Sequence, residues 1–420
     1  MRDILKEIWT TITHNRLRTV LTGFSVAWGI FILIVLLGAG NGLINGVMGN
    51  RQKVLTNSMT IYGGQTSIAH DGLGMGRSIE LNDKDLEITK QGFTANIDDV
   101  EAEIKKSGQT LAYTDNYMTG VNVNGVFPND EVINKREMLC GRFLNQLDMS
   151  QRRKTIVVSE GIAKELMPKA PLNLNGRTIK EGNLAFTVVG IYDSDRSRMS
   201  NDAFIPFTTF RTIYNSGDKT GDIVFSFHGL KTEDDNTHFE NDYRARINRI
   251  HRADPTDENS IWIWNRFTQD MQMNKATGMI STALWVVGIL TLLSGIVGVS
   301  NIMLITVRER THEFGIRKAI GAKPWSILRL IIIESVAITT FFGYIGMVLG
   351  IAATQYMDAT IGQTKVDNGL FSASIFINPT VSIGICVQAT ILMIIAGTIA
   401  GLIPARKAAK IRPIEALRAE

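Results

Sequence analysis

Histidines, cysteines and clustered carboxylates are the residues best suited to covalent or metal chemistry, and their spacing in this chain of 420 residues supports none. The six histidines, His14, His70, His228, His238, His251 and His312, lie far apart and never at metal-ligand spacing. No H-E-x-x-H, C-x-x-C or G-x-S-x-G pattern occurs. A G-x-x-x-x-G-K-[ST] phosphate loop is also missing, so ATP is not hydrolysed here by that route. Cys140 and Cys386 are the only cysteines, too few for a disulfide framework. The acidic run at residues 233–235 reads as a helix start favoured by the helix dipole. No catalytic, cofactor-binding or metal site is expected, and the chain is not read as an enzyme.

Charge is concentrated elsewhere. Arg308, Glu309, Arg310, Glu313, Arg317 and Lys318 crowd one short segment. Glu313 and Arg317 stand four apart in the order that stabilises a helix. Gly315 and Gly321 allow another surface to come close, and Pro324 fixes the turn that follows. Taken alone, this segment fits either a docking element or a solvated basic loop.

The elements around it are long uncharged runs at residues 19–50, 276–307, 335–357 and 368–405. Each exceeds the roughly 20 apolar residues that cross a hydrocarbon core. A mean hydropathy of +0.06 fits part bilayer and part water-soluble domain. A net charge of +4 is too small to imply a nucleic-acid partner. The first run is longer than the apolar core of a signal peptide, so it is expected to stay as an anchor. Small residues recur at helical spacing at Gly38, Gly42 and Gly46, Ser294 and Gly298, Gly346 and Gly350, and Gly397 and Gly401, which suits close helix packing in lipid. No charge lies deep in any run, and Glu334 sits at a boundary. That argues against an ion-driven carrier and for a mechanical frame.

Lys and Arg fall in residues 1–18, 308–334 and 406–420, whereas the connection 358–367 has only Lys365. Both termini and the middle loop are therefore expected in the cytoplasm, with the large insertion outside. Residues 2–15 place Ile4, Leu5, Ile8, Trp9 and Ile12 on one face, as a helix lying on the inner membrane surface does. Residues 41–55 and 267–279 keep helical patterning beyond the apolar runs and suggest stalks. The insertion reads as mixed α and β. Strands are expected at 59–62, 186–192, 222–227 and 260–264, with helices at 82–91, at 159–169 and through Phe239, Tyr243, Ile247 and Ile250. The expected fold is four transmembrane α-helices with a large α+β extracytoplasmic domain between helices 1 and 2. Its parts are a surface helix 1–18, helix 1 and stalk 19–50, and the outer domain 51–275. Helix 2 at 276–307, the loop 308–334, helix 3 at 335–357, helix 4 at 368–405 and the tail 406–420 follow.

This arrangement resembles the MacB/FtsX-type permeases of ABC transporters. Residues 301–335, NIMLITVRERTHEFGIRKAIGAKPWSILRLIIIES, follow the family's N-x-M-x-x-x-V-x-E-R-x-x-E-I-G-[IL]-R-[KR]-A-[IL]-G-A pattern and its closing E-[SA] pair. Phe314 stands where Ile is usual, and His312 where Arg or Lys is common. Residues 401–420, GLIPARKAAKIRPIEALRAE, resemble the family's ending, and NRLRTVLT at 15–22 and FTVVGIYD at 186–193 also fit. The resemblance implies a homodimer, or a dimer with a close relative, bound to separate ATPase subunits that hold ATP and Mg. It implies that Arg308, Glu309, Arg310, Glu313, Gly315, Arg317, Lys318 and Gly321 couple to that ATPase. A porter-like lobe (51–135 and 220–275) and a β-rich lobe (136–219) are implied for the outer domain. Within the family the expected role is efflux with a periplasmic adaptor and an outer-membrane channel. Lipoprotein release and regulation of cell-wall hydrolases are the alternatives. The location implied is the bacterial inner membrane.

Overall fold

The computed structural model describes residues 16–48, 55–193, 201–360, 366–367, 372–373 and 377–410. The surface helix expected at 2–15, the stalk beyond Met48 and the end of the tail lie outside these residues. The chain divides into two compact units: Met1–Gly49, Ala276–Lys365 and Ser374–Glu420 form one, and Asn50–Lys275 with Val366–Ala373 form the other.

Among the described residues, four helices are long and apolar enough to cross a membrane. In chain order with the outer elements, α1 is Arg16–Met48. The outer domain then contributes β1 (Ser58–Gly63), α2 (Asp83–Gly92), β2 (Ile97–Tyr113), β3 (Asn116–Val126), α3 (Asp130–Ile133), β4 (Met138–Gly141) and α4 (Gln146–Ser150). It continues with β5 (Thr155–Ser159), α5 (Glu160–Leu166), β6 (Thr178–Glu181), β7 (Leu184–Tyr192), β8 (Asp202–Pro206), α6 (Phe207–Tyr214), β9 (Asp222–Phe227), α7 (Glu233–Ile250) and β10 (Ile261–Asn265). The remaining helices are α8 (Arg266–Glu309), α9 (Thr311–Ala319), α10 (Pro324–Thr360) and α11 (Ile383–Lys410).

The outer domain is built on one ten-stranded sheet in the order β10-β1-β9-β2-β3-β8-β5-β7-β4, with β6 bridging β2 and β7. On one face, Met59, Ile61, Ala102, Ile223, Phe225, Ile261 and Ile263 pack against Phe239, Tyr243 and Ile247 of α7. Alternation along the strands sends one residue in two to this core. The helix starts follow from their caps. Asn82 and Asp85 form a reciprocal capping box at α2, and the Ser159 hydroxyl accepts from the Ile162 amide at α5.

Within the sheet the hydrogen bonding changes partners along β2. β2 pairs with β9 through residues 97–103, then with β3 and β6 from residue 104 onward. A strand of 17 residues with a bulge between Lys106 and Gln109 serves both halves of the sheet. Composition does not mark such a change, because the same β-forming residues line both halves.

Uncharged runs and helix ends also differ in the membrane unit. The run 368–405 predicts a fourth span from residue 368, yet α11 starts at Ile383. Asn378 has a φ of 48° and Pro379 follows, so residues 377–382 cannot continue as helix. They lie instead along α1, where the Ile377 amide donates to the Gly42 carbonyl at 3.0 Å and the Asn45 amide to the Asn378 carbonyl at 3.2 Å. At their other ends, α10 starts at Pro324 and α11 runs on to Lys410, past the ends of the uncharged runs.

The small-residue faces sit at helix crossings. A methyl group added at Gly350 would lie 2.8 Å from Ile34 Cβ, and one at Gly401 2.8 Å from Ser335 Cβ. Gly38 is equally enclosed, with the Pro379 carbonyl oxygen 2.9 Å from where its Cβ would stand. Gly346 abuts the Ala27 backbone, Gly397 abuts Val336 and Thr339, and Gly42 and Gly46 are buried. The Ser335 hydroxyl donates to the Gly397 carbonyl at 2.8 Å, tying α10 to α11.

Candidate functional site

The segment between α8 and α10 is a compact helical turn. α8 ends at Glu309, α9 spans Thr311–Ala319, and Gly321 turns the chain with a φ of +102° before Pro324 starts α10. That φ favours glycine over any residue with a Cβ. Arg310 organises the turn. Its Nε donates to Glu313 at 3.0 Å and its Nη1 to Glu334 of α10 at 3.3 Å. Its guanidinium carbon also lies 5.3 Å from the Phe314 ring centroid. Lys318 donates to the Ala409 carbonyl of α11.

Two features differ from what the sequence suggests. Glu313 is held by Arg310, three residues before it, rather than being tied to α9 through Arg317 alone. Gly315 is buried beside Phe314, itself 1% exposed. Arg308, Glu309 and Gly321 are exposed, and Arg317 is half-buried. The outward face carries residues that sequence reasoning missed: Ile316, Ile320 at 82% exposure and Trp325 at 71%. Their spacing at i and i+4, with the tryptophan one turn on, was the available signal. Large apolar side chains left uncovered beside charged ones suit docking of another protein.

Glu334 was likewise readable as a boundary residue but is buried within the helices, with only 6% of its side chain exposed. A carboxylate in an apolar helix needs a partner, and Arg310 supplies it.

A second constellation holds the start of α8 in the outer domain. The Asn265 side-chain oxygen accepts from the Phe267 amide at 3.0 Å and the Thr268 amide at 3.2 Å. Its amide nitrogen donates to Asn236 and Glu240 of α7, both at 2.8 Å. Asn265 thereby satisfies two of the free N–H groups at the helix start while fastening it to α7. Arg266 donates to the Ser58 hydroxyl at 3.2 Å and the Asn134 side chain at 3.1 Å. Lys275 pairs with Glu233 at 2.6 Å, and this hydrogen-bonded ammonium holds the Glu233 carboxyl below the usual carboxylate range. The acidic start of α7 thus does more than cap its own helix.

Cys140 lies in the outer domain and Cys386 in α11, and both are free thiols. No group of three or more His, Cys, Asp or Glu with metal-binding geometry occurs among the described residues.

The family described as MacB-like periplasmic core domain matches residues 19–240, more than half of the chain, and the FtsX-like permease C-terminal family matches residues 285–413. The chain belongs to the MacB/FtsX-type permeases. An uncharacterized ABC transporter permease, YknZ of Bacillus subtilis, is 26% identical over 98% of this chain and 97% of its own length. The macrolide export ATP-binding/permease protein MacB of Chlorobaculum tepidum is 28% identical over 99% of this chain. The chain spans 61% of that protein's length. Among solved structures, the periplasmic region of MacB from Actinobacillus actinomycetemcomitans aligns with 54% of this chain and 97% of its own, with a TM-score of 0.43 and 20% identity.

The MacB/FtsX-type architecture is thus a multi-pass inner-membrane permease. Four membrane helices carry a periplasmic α+β domain between the first and second.

Proposed function

We propose that this permease couples ATP hydrolysis by a separate ATPase subunit to movement of its periplasmic domain, and that this mechanotransmission drives efflux. The observation that carries the reading is α8, one unbroken helix of 44 residues from Arg266 to Glu309. At 1.5 Å per residue it is about 66 Å long, roughly twice a hydrocarbon core. It begins in the Asn265–Arg266 clamp and ends at the Arg310 turn. A helix fixed at one end and joined to a docking turn at the other suits a lever. The uncovered Ile316, Ile320 and Trp325 suit the ATPase contact.

Both termini and the 308–334 segment are cytoplasmic in this reading, following the Lys and Arg bias. The chain acts as a homodimer in the bilayer, with a periplasmic adaptor and an outer-membrane channel completing a tripartite pump. The macrolide export names of several relatives support efflux over lipoprotein release. ATP and Mg belong to the partner.

The test is reconstitution of the full chain with its candidate ATPase in nanodiscs. Hydrolysis stimulated by the permease and lost in the Ile320→Asp variant is expected. Equal hydrolysis with and without the permease would overturn the coupling.

A further inference from the structure

Strands β10, β1, β9 and β2 lie side by side, and one face of this half-sheet is closed by α2 and α7. The opposite face carries a different set of side chains. Trp262 stands across from Tyr62. The register that pairs Ile61 with Ile223 carries Tyr62 beside Asp222, and Asp222 stands across from Glu103. A single row of two aromatic rings and two carboxylates therefore crosses four strands. At about 4.8 Å per strand it is about 14 Å long. In the adjacent row, Trp264 stands across from Thr60, and Glu101 across from Val224.

Two properties of the row are out of place on an ordinary sheet surface. Trp262 is 66% exposed on the edge strand, its ring 5.8 Å from the ring of Tyr62. Large aromatic rings are costly to leave in water, and Trp264 beside it is 40% exposed. The second property is electrostatic. Like charges directly opposite each other destabilise a sheet. Glu103 and Asp222 are so placed, and no ion pair or hydrogen bond to either carboxylate occurs among the described residues. Arg136 and Lys105 act on them only through space, and Arg136 is bonded to Asp130. Glu101, 1% exposed on the same face, has neither carboxylate oxygen hydrogen-bonded. Burial pushes the Glu103 carboxyl up to about 7 and that of Asp222 up to about 6. Three carboxylates, with Arg136, Arg266 and Lys105 acting on them only through space, thus lack a hydrogen-bonded cation beside the exposed Trp262 and the half-buried Tyr62.

We propose that the Trp262–Tyr62–Asp222–Glu103 row is a binding platform for an organic cation. The aromatic faces hold its apolar body and attract its charge through their quadrupoles, and the carboxylates neutralise it. The flat aromatic half offers nothing to a metal ion, whereas it matches the width of a drug-sized cation. Ligand binding here is separate from ATP coupling, because it is read on the permease alone.

Equilibrium dialysis of tetraphenylphosphonium against the full chain in phosphatidylcholine nanodiscs tests this, with empty nanodiscs correcting for lipid uptake. Tetraphenylborate, of the same shape and opposite charge, is the control. Saturable binding of the phosphonium and none of the borate is expected at pH 8. Glu103→Gln with Asp222→Asn should weaken binding at least tenfold while relieving repulsion, so the fold is kept. Trp262→Ala should weaken it several-fold at a site too exposed to support the core. Glu165→Gln, an exposed carboxylate elsewhere on the domain, should leave it unchanged. Equal binding of the borate, or unchanged affinity in both row variants, would overturn the assignment.

Discussion

Arg310 and Glu334 meet at 3.3 Å within the membrane-spanning unit, 24 positions apart in sequence and with only 14% and 6% of their side chains exposed. The pair joins the turn after α8 to α10, and Arg310 also holds Glu313. One arginine therefore sets the position of α9 relative to the helix on each side.

Breaking that pair from one side should be costly. Glu334→Ala leaves Arg310 buried with less compensation, and removing one member of a buried pair costs about 3 kcal/mol. The thermal midpoint of the solubilised chain should fall by several degrees. The double variant Arg310→Met, Glu334→Met should recover much of the loss. If the losses of Arg310→Met and of Glu334→Met, each alone, add up to that of the double variant, the pair contributes no coupling.

Asn265→Ala should loosen the start of α8 without unfolding the outer domain. The change removes a helix cap, which costs about 1 kcal/mol, and leaves Asn236 and Glu240 without one partner. Hydrogen exchange at the Phe267 and Thr268 amides should speed up roughly fivefold. In the reconstituted transporter, hydrolysis should continue while export drops. Unchanged exchange at those amides would mean that Asn265 does not hold the helix.

Ile320→Asp and Gly315→Trp should act differently, although both lie in or beside the turn between α8 and α10. Ile320 is 82% exposed, so a charge there costs little stability and should weaken ATPase capture about tenfold. Gly315 is buried beside Phe314, and an indole there must displace the packing of its own unit. Lower expression and a lower unfolding temperature are expected for Gly315→Trp, both measurable without the ATPase. A normally folded Gly315→Trp chain would put that glycine on the open surface.

Protonation of the Glu103 carboxyl should stabilise the outer domain. Its folded value near 7 lies above the ordinary 4.5, so the folded chain binds more protons than the unfolded chain between these limits. The stabilisation is complete below about 4.5 and is lost as pH rises through 7. Exchange protection of β2 amides should therefore decline from pH 5 to pH 8, after correction for intrinsic rates. Glu103→Gln should flatten that dependence, and Asp222, raised to about 6, should leave a smaller residue of it.

The sequence by itself determined the membrane frame and the plan of the chain. Long uncharged runs have few fates other than lipid, so four spans and the insertion between the first two were legible without coordinates. Local signals also sufficed for helix starts such as Asn82 and Ser159, because a cap and its first turn are neighbours in sequence. The ends of the spans were not legible. Charge marks where lipid stops, whereas α11 starts where Asn378 and Pro379 stop breaking the helix. The long β2–β3 hairpin escaped too, since polar stretches such as residues 105–110 lack strand alternation and are held by their partners. Tertiary structure alone decided which way the turn between α8 and α10 faces. Phe314 and Gly315 turn inward and Ile316 and Ile320 outward, and Arg310 at the start of α9 reaches a carboxylate 24 residues away. It also decided that Asp222 and Glu103, distant in sequence, share one row. Register between strands, not order along the chain, brings such charges together.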